Sequence, residues 1–136
     1  MKFTILNHTV KIDNTYRIPY GAGANKTNTI VYIDSEMPET VRMKDGTVID
    51  VYEALATHEI AEKMAMDLGD DYEEAHEMHG NPAEEEFVGK KYWKEYNKSI
   101  APYLIHDNEL KEAHIPKDLE MKPYHDEKKI KLIKDA

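Results

Sequence analysis

The chain has 136 residues, the size of one ordinary domain, with 40 % apolar and 33 % charged residues and a net charge of -9 from 27 acids and 18 bases. This balance opposes general binding to nucleic acid or anionic membranes, which depends on neutralising phosphate with Lys and Arg. No run approaches the roughly 18 consecutive apolar residues of a membrane helix, and the absence of cysteine leaves only nitrogen and oxygen donors for any metal.

Residues 2–12 alternate Phe3, Ile5, Val10 and Ile12 with polar residues, which predicts a strand rather than a secretory leader. Asp13-Asn14 predicts a turn, with a hairpin returning through Thr15–Pro19. Gly21-Ala22-Gly23-Ala24-Asn25 lacks the terminal Lys-Ser/Thr of a phosphate loop and reads as a flexible connection. Thr29–Asp34 is the best strand, β-branched and aromatic, ended by Met37-Pro38, and Asp45-Gly46 is a turn.

Asp50, with Glu53 three residues later, caps a helix that should run to Leu68, with Gly69 as its left-handed terminator. Asp70 or Asp71 can cap a second helix over Tyr72–His79. Gly80-Asn81-Pro82 then either kinks that helix or, as the favoured reading, starts a third with Asn81 as cap and Pro82 at its first position. The third helix reaches about Ser99 and buries some combination of Phe87, Val88, Tyr92, Trp93 and Tyr96. Lys90, Lys91, Lys94 and Lys98 spread over a wide arc and read as a solvated face. From His106 onward the turn signals Asp107-Asn108, Ile115-Pro116 and Lys122-Pro123 predict an extended tail wrapping the domain, frayed over 128–136. There is no internal repeat. The expected architecture is one α+β domain, a short antiparallel or mixed sheet packed on two or three helices.

Chemistry concentrates in the first helix. At about 100° per residue, Val51, Ala54, Leu55, Ala61, Ala65, Met66 and Leu68 fall within about 80° of His58. Glu62 lies inside the same apolar stripe, one turn beyond His58, while Glu53, Lys63 and Asp67 fall on the far side. Two polar groups in a buried stripe must be satisfied, because an unpaired buried carboxylate loses several kcal/mol of solvation. One solution is an intrahelical hydrogen-bonded pair; the other is a shared cation, with zinc suited to imidazole and carboxylate. Small Ala61 and Ala65 leave room, and Glu59 beside His58 has the position from which a carboxylate activates a water in helical zinc hydrolases. The turn at Gly69 brings His76 toward this face as the third ligand, with His79, Glu84 and Glu85 as substitutes.

The stretch Ala56-Thr57-His58-Glu59-Ile60-Ala61-Glu62-Lys63 resembles the active-site helix of zincin metallopeptidases, whose signature is H-E-x-x-H. Most of residues 28–126 resembles small phage- and prophage-encoded zincin-like proteins, through the helix beginning at Val51, the element Ala75-His76-Glu77, the stretch Pro102 to His106, and Pro116 with Pro123-Tyr124. The resemblance implies a zincin-like fold, metal held by His58, Glu62 and His76, hydrolysis of a peptide or protein substrate, and Thr29–Asp34 as an edge strand lying over the metal. A cytoplasmic address is expected. The departure is Glu62 where the signature has His: a carboxylate lowers the site's positive charge, weakens it as a Lewis acid and opens it to ions such as manganese. It also admits a second reading, a metal-stabilised binding or assembly protein without turnover.

Overall fold

The computed structural model describes residues 1–104, 112–124 and 131–134. It is a small α+β fold in which one mixed sheet packs against three principal helices, as expected. Strands β1 (Lys2–Ile5), β2 (His8–Asp13), β3 (Ala22–Ala24) and β4 (Ile30–Ile33) form a four-stranded sheet in the order β1-β2-β4-β3. β2 and β4 are parallel and the two outer pairings antiparallel. A hairpin, β5 (Thr40–Arg42) with β6 (Val48–Asp50), turns at Asp45-Gly46 and leads into helix α1 (Val51–Asp67). Then come α2 (Tyr72–Ala75), a π turn (His76–Gly80), α3 (Asn81–Val88), α4 (Lys90–Leu104), and a parallel pair of β7 (Glu112–Ile115) with β8 (Lys131–Lys134).

Several local expectations give way to this arrangement. The first turn falls at Leu6-Asn7, where both residues take positive φ (48° and 67°), the conformation of a two-residue turn whose twist matches its strands. Asp13 instead closes a local side-chain turn, accepting hydrogen bonds from the Thr15 N–H and hydroxyl at 3.0 and 2.6 Å, and Thr15–Pro19 forms no strand. The Gly21–Asn25 connection contains strand β3. Its small residues are required there: a Cβ on Gly23 would collide with the Tyr124 hydroxyl and with Leu119, which lie directly over it.

β4 is therefore interior, and the expected edge role of Thr29–Asp34 is corrected. Its alternation serves two cores: Val31 and Ile33 join Val51, Ala56, Ile60, Tyr96 and Ile100 under α1, while Ile30 and Tyr32 pack with Ile18, Ile115, Leu119 and Tyr124. An unbroken apolar strand is what burial on both faces demands. Helix α1 is enclosed in the same way. Tyr52, Ala56, Ile60 and Lys63 are buried on the side opposite His58, so Lys63 does not face solvent. Its ammonium donates to the Lys26 carbonyl at 3.1 Å and to Asp67 at 2.6 Å, which makes its burial tolerable. Leu68 lies outside the stripe and is exposed.

The helical hairpin after α1 also departs from the simple reading. Asp50 caps α1 by accepting from the Glu53 N–H at 2.9 Å, Gly69 terminates it at φ 112°, and Asp71 caps α2. Asn81, however, has helical φ and ψ (-60°, -46°) and caps no fresh helix: the chain passes from α2 through the π turn into α3 without a break, and the break comes at Gly89, φ 95°. Val88 and Tyr96 are fully buried, Tyr92 and Trp93 pack at the margin, and Phe87 is exposed. The tail does cover the domain over 112–124, and Lys131–Lys134 is paired rather than frayed. Asp107-Asn108, His106, and 128–130 and 135–136 of the expected fray lie outside the described residues. Among the described residues no helix is long and apolar enough to cross a membrane.

Candidate metal centre

Helical periodicity sets His58 and Glu62 on one face of α1, and the π turn brings the second helix's donors to them. Eight residues at about 100° each would leave His76 and Glu84 about 80° apart; one residue inserted as a π turn removes about 100° and leaves them nearly aligned. Both then reach the same imidazole from opposite sides. Gly80 lies between them, and a Cβ there would stand 2.7 Å from His58 Nε2. Only a glycine lets the helix backbone lie this close to the ring.

The donors form an equilateral triangle. His58 Nε2 lies 3.0 Å from Glu62 Oε2 and 3.0 Å from His76 Nδ1, and His76 Nδ1 lies 3.0 Å from Glu62 Oε2. Tetrahedral bonds of about 2.0 Å separate donor atoms by about 3.3 Å, so the triangle is close to what a bound ion requires. These three residues can hold a metal ion through one ligand atom each. On the other side of the ring, His58 Nδ1 donates to Glu84 Oε1 at 2.8 Å, and the Tyr96 hydroxyl donates to Glu84 Oε2 at 2.6 Å. By accepting the Nδ1 hydrogen bond the carboxylate fixes the ring with Nε2 facing the triangle, the arrangement that orients a metal-binding histidine, and an ion there would displace the proton that Nε2 shares with Glu62.

The electrostatics are those of a site short of positive charge. His58, Glu62 and Glu84 are 7, 2 and 4 % exposed, so none is neutralised by water. Burial opposes the imidazolium form, yet the hydrogen bonds to Glu62 and Glu84 and the charge of Glu59 outweigh it and push the His58 pKa up to about 10. Burial likewise works against the Glu62 carboxylate, but hydrogen bonds from His58 and His76 hold it below its usual range. Glu59 is raised well above the carboxylate range by burial and then by the charge of Glu62. Tyr96 is raised by burial and by Glu84, and so remains a donor.

Of the expected site residues, His58, Glu62 and His76 converge, and Glu59 lines the same cavity, about 240 Å³ in volume, with Tyr20, Tyr72 and Tyr124. The substitutes fall elsewhere. His79 is exposed and lies 3.4 Å from Asp70, Glu85 is not among the converging donors, and Glu84 supports the ring rather than joining the triangle. Sequence pattern alone assigns Tyr96 to the core and Gly80 to a helix break, whereas the structure brings both to the site. For Gly80 a signal existed, since a glycine inside a helix facing a histidine invites a close approach.

Fold and cluster together define a small α+β protein with a His–Glu–His donor group in which His58 and Glu62 are buried and His76 is half-buried. No family model, curated protein or solved structure matches the chain, so the zincin-like resemblance rests on its own residues.

Proposed function

We propose that the chain is a zinc-dependent hydrolase with a zincin-like catalytic helix, acting on an amide bond as a peptidase does. One observation carries the reading: the N,N,O donor triangle of His58, Glu62 and His76 opens on the cavity that Glu59 also lines. An ion there supplies positive charge that polarises a carbonyl and acidifies a water. Glu59 takes a proton from the attacking water as its oxygen adds to the carbonyl carbon. The same proton passes to the leaving nitrogen as the C–N bond breaks, giving a carboxylic acid and an amine. Glu84, held by Tyr96, keeps His58 in the tautomer the ion needs. Glu62 makes the site less cationic than a three-histidine centre, which also suits manganese.

A second reading, a metal-stabilised binding protein of phage type without turnover, is favoured by the covered edge of β3. The Ala24 carbonyl accepts from Glu120 N–H at 2.9 Å and the Ala22 carbonyl from the Tyr124 hydroxyl at 2.8 Å, so a peptide strand has no free edge to join there. Elemental analysis and one variant separate the readings. The hydrolase reading expects about one equivalent of zinc, turnover of a peptide-amide library, and a Glu59→Gln variant that keeps the metal and loses turnover. Metal without turnover in the parent protein selects the second reading, and less than about a tenth of an equivalent after zinc loading refutes both.

A further inference from the structure

We infer that the cavity beside the donor triangle selects short, amine-bearing amide substrates and rejects anionic ones. The inference rests on the hydrolase reading and adds the substrate class to it.

Three independent features of the cavity lead there. Its charge is the first: Glu59, Glu62 and Glu84 line it, and the described lining residues include no Lys or Arg. Beside the ion, this lining offers an ammonium group several carboxyl oxygens as acceptors and offers a substrate carboxylate no cationic side chain. Several of the described lysines are placed elsewhere. Lys63 is buried on the far side of α1, committed to Asp67 and the Lys26 carbonyl, and Lys44, Lys91, Lys94 and Lys98 line a separate groove.

The second feature is the wall. Tyr20 and Tyr124 stack with ring centroids 6.0 Å apart and planes 11° from parallel, and Tyr72 lines the same cavity with its ring 5.5 Å from that of His76. An aromatic lining favours an ammonium group, and the Tyr124 hydroxyl, a donor that an anion could use, is committed to the Ala22 carbonyl.

Size is the third. At about 240 Å³ the cavity is smaller than the roughly 300–1,000 Å³ of sites that enclose drug-sized ligands. The adjoining β3 edge, closed by Glu120 and Tyr124, excludes an extended strand. What remains is room for the end of a chain, with its amine toward the carboxyl groups and the tyrosine-lined wall.

Calorimetric titration of the zinc-loaded protein with three hydroxamates of similar size tests this: glycine hydroxamate (ammonium), acetohydroxamate (neutral) and malonic acid monohydroxamate (carboxylate). The expected order is ammonium, neutral, carboxylate, with at least about a ten-fold gap between the first and last at low salt and a smaller gap in Glu59→Gln. Equal or tighter binding of the carboxylate overturns the substrate class and leaves the hydrolase reading standing. Failure of all three to bind a protein carrying a full equivalent of zinc means that no coordination position is open, and both fall together. As a parallel readout, a free dipeptide amide should be cleaved in preference to its N-acetyl form, and the reverse preference overturns the inference.

Discussion

Gly80→Ala sets two opposing effects against each other at one atom. Gly80 has ordinary helical angles (φ -63°, ψ -58°), so replacing it by Ala in an open helix would stabilise the protein by about 1 kcal/mol. Here the new Cβ would stand 2.7 Å from His58 Nε2 and 3.0 Å from Cδ2 and Cε1. The ring has nowhere to retreat, because Glu84 holds Nδ1 at 2.8 Å while Glu62 and His76 hold Nε2 at 3.0 Å. Overpacking of this kind costs about 1–3 kcal/mol, so the clash should cancel or exceed the helix gain, giving a net destabilisation of up to about 2 kcal/mol. Displacing Nε2 also spoils the triangle, and zinc affinity should drop at least about ten-fold, comparable to the loss of an orienting partner. Urea denaturation of the chelated protein reads the first effect and competition against a fluorescent zinc chelator the second. The decisive control is the His58→Ala background. With the imidazole gone, Gly80→Ala should become stabilising by about 1 kcal/mol, a reversal of sign that only direct contact produces. A Gly80→Ala protein that is about 1 kcal/mol more stable than its parent, with zinc affinity unchanged, would refute the packing argument.

Further predictions address the support of the site and two turns. Glu84→Gln keeps the volume but removes the anion that accepts the His58 proton, and should weaken zinc binding about 10–100-fold with little change in helix content by circular dichroism. Asp45 is held at about 2, first by the Tyr92 hydroxyl and then by Thr47, so its contribution to stability is present above the unfolded pKa and is lost as pH falls through the folded value. Tyr92→Phe should move the Asp45 pKa, followed by NMR titration, up toward 3.8, and an unmoved value would remove Tyr92 as the cause. Leu6 occupies φ 48° in the first turn, a conformation that costs a branched side chain about 1 kcal/mol. Exchanging Leu6-Asn7 for Asn-Gly should raise the urea midpoint by a corresponding amount, and no gain would mean that the turn relaxes in solution.

Much of the framework is written locally and was legible for that reason. Asp50 and Gly69 bound α1 through contacts within four residues, and His58 and Glu62 meet because helical spacing alone puts them together. What escaped depends on contacts distant in sequence. Leu6 is a poor turn residue, and its positive φ is imposed by the pairing of Ile5 with His8. Lys63 reads as a solvent-side residue until the loop at Lys26 covers it. The edge role of Thr29–Asp34 is implied by the resemblance alone, and the strand that covers β4, β3, is made of Ala and Gly, residues suited to what lies over them rather than to strand propensity. The run Thr29–Asp34, apolar on both faces, already argued for an interior strand.

The segment Gly80-Asn81-Pro82 carries the sharpest lesson, because its residues are helix breakers by every local rule, yet the helix does not break. Proline lacks an N–H and crowds the carbonyl one turn back, which makes a regular α-helical ladder costly at Pro82. The chain answers by widening a single turn: the Asn81 N–H bonds the His76 carbonyl, five residues back, and the helix resumes. The shift of one residue aligns Glu84 with His76, and Gly80 removes the side chain that would otherwise fill the gap. Periodicity alone keeps His76 and Glu84 about 80° apart and offers Glu84 only as a rival ligand. Once the widened turn is included, the two residues take complementary parts on opposite nitrogens of His58. The feature that looked like an interruption of the helix is the one that assembles the site on it.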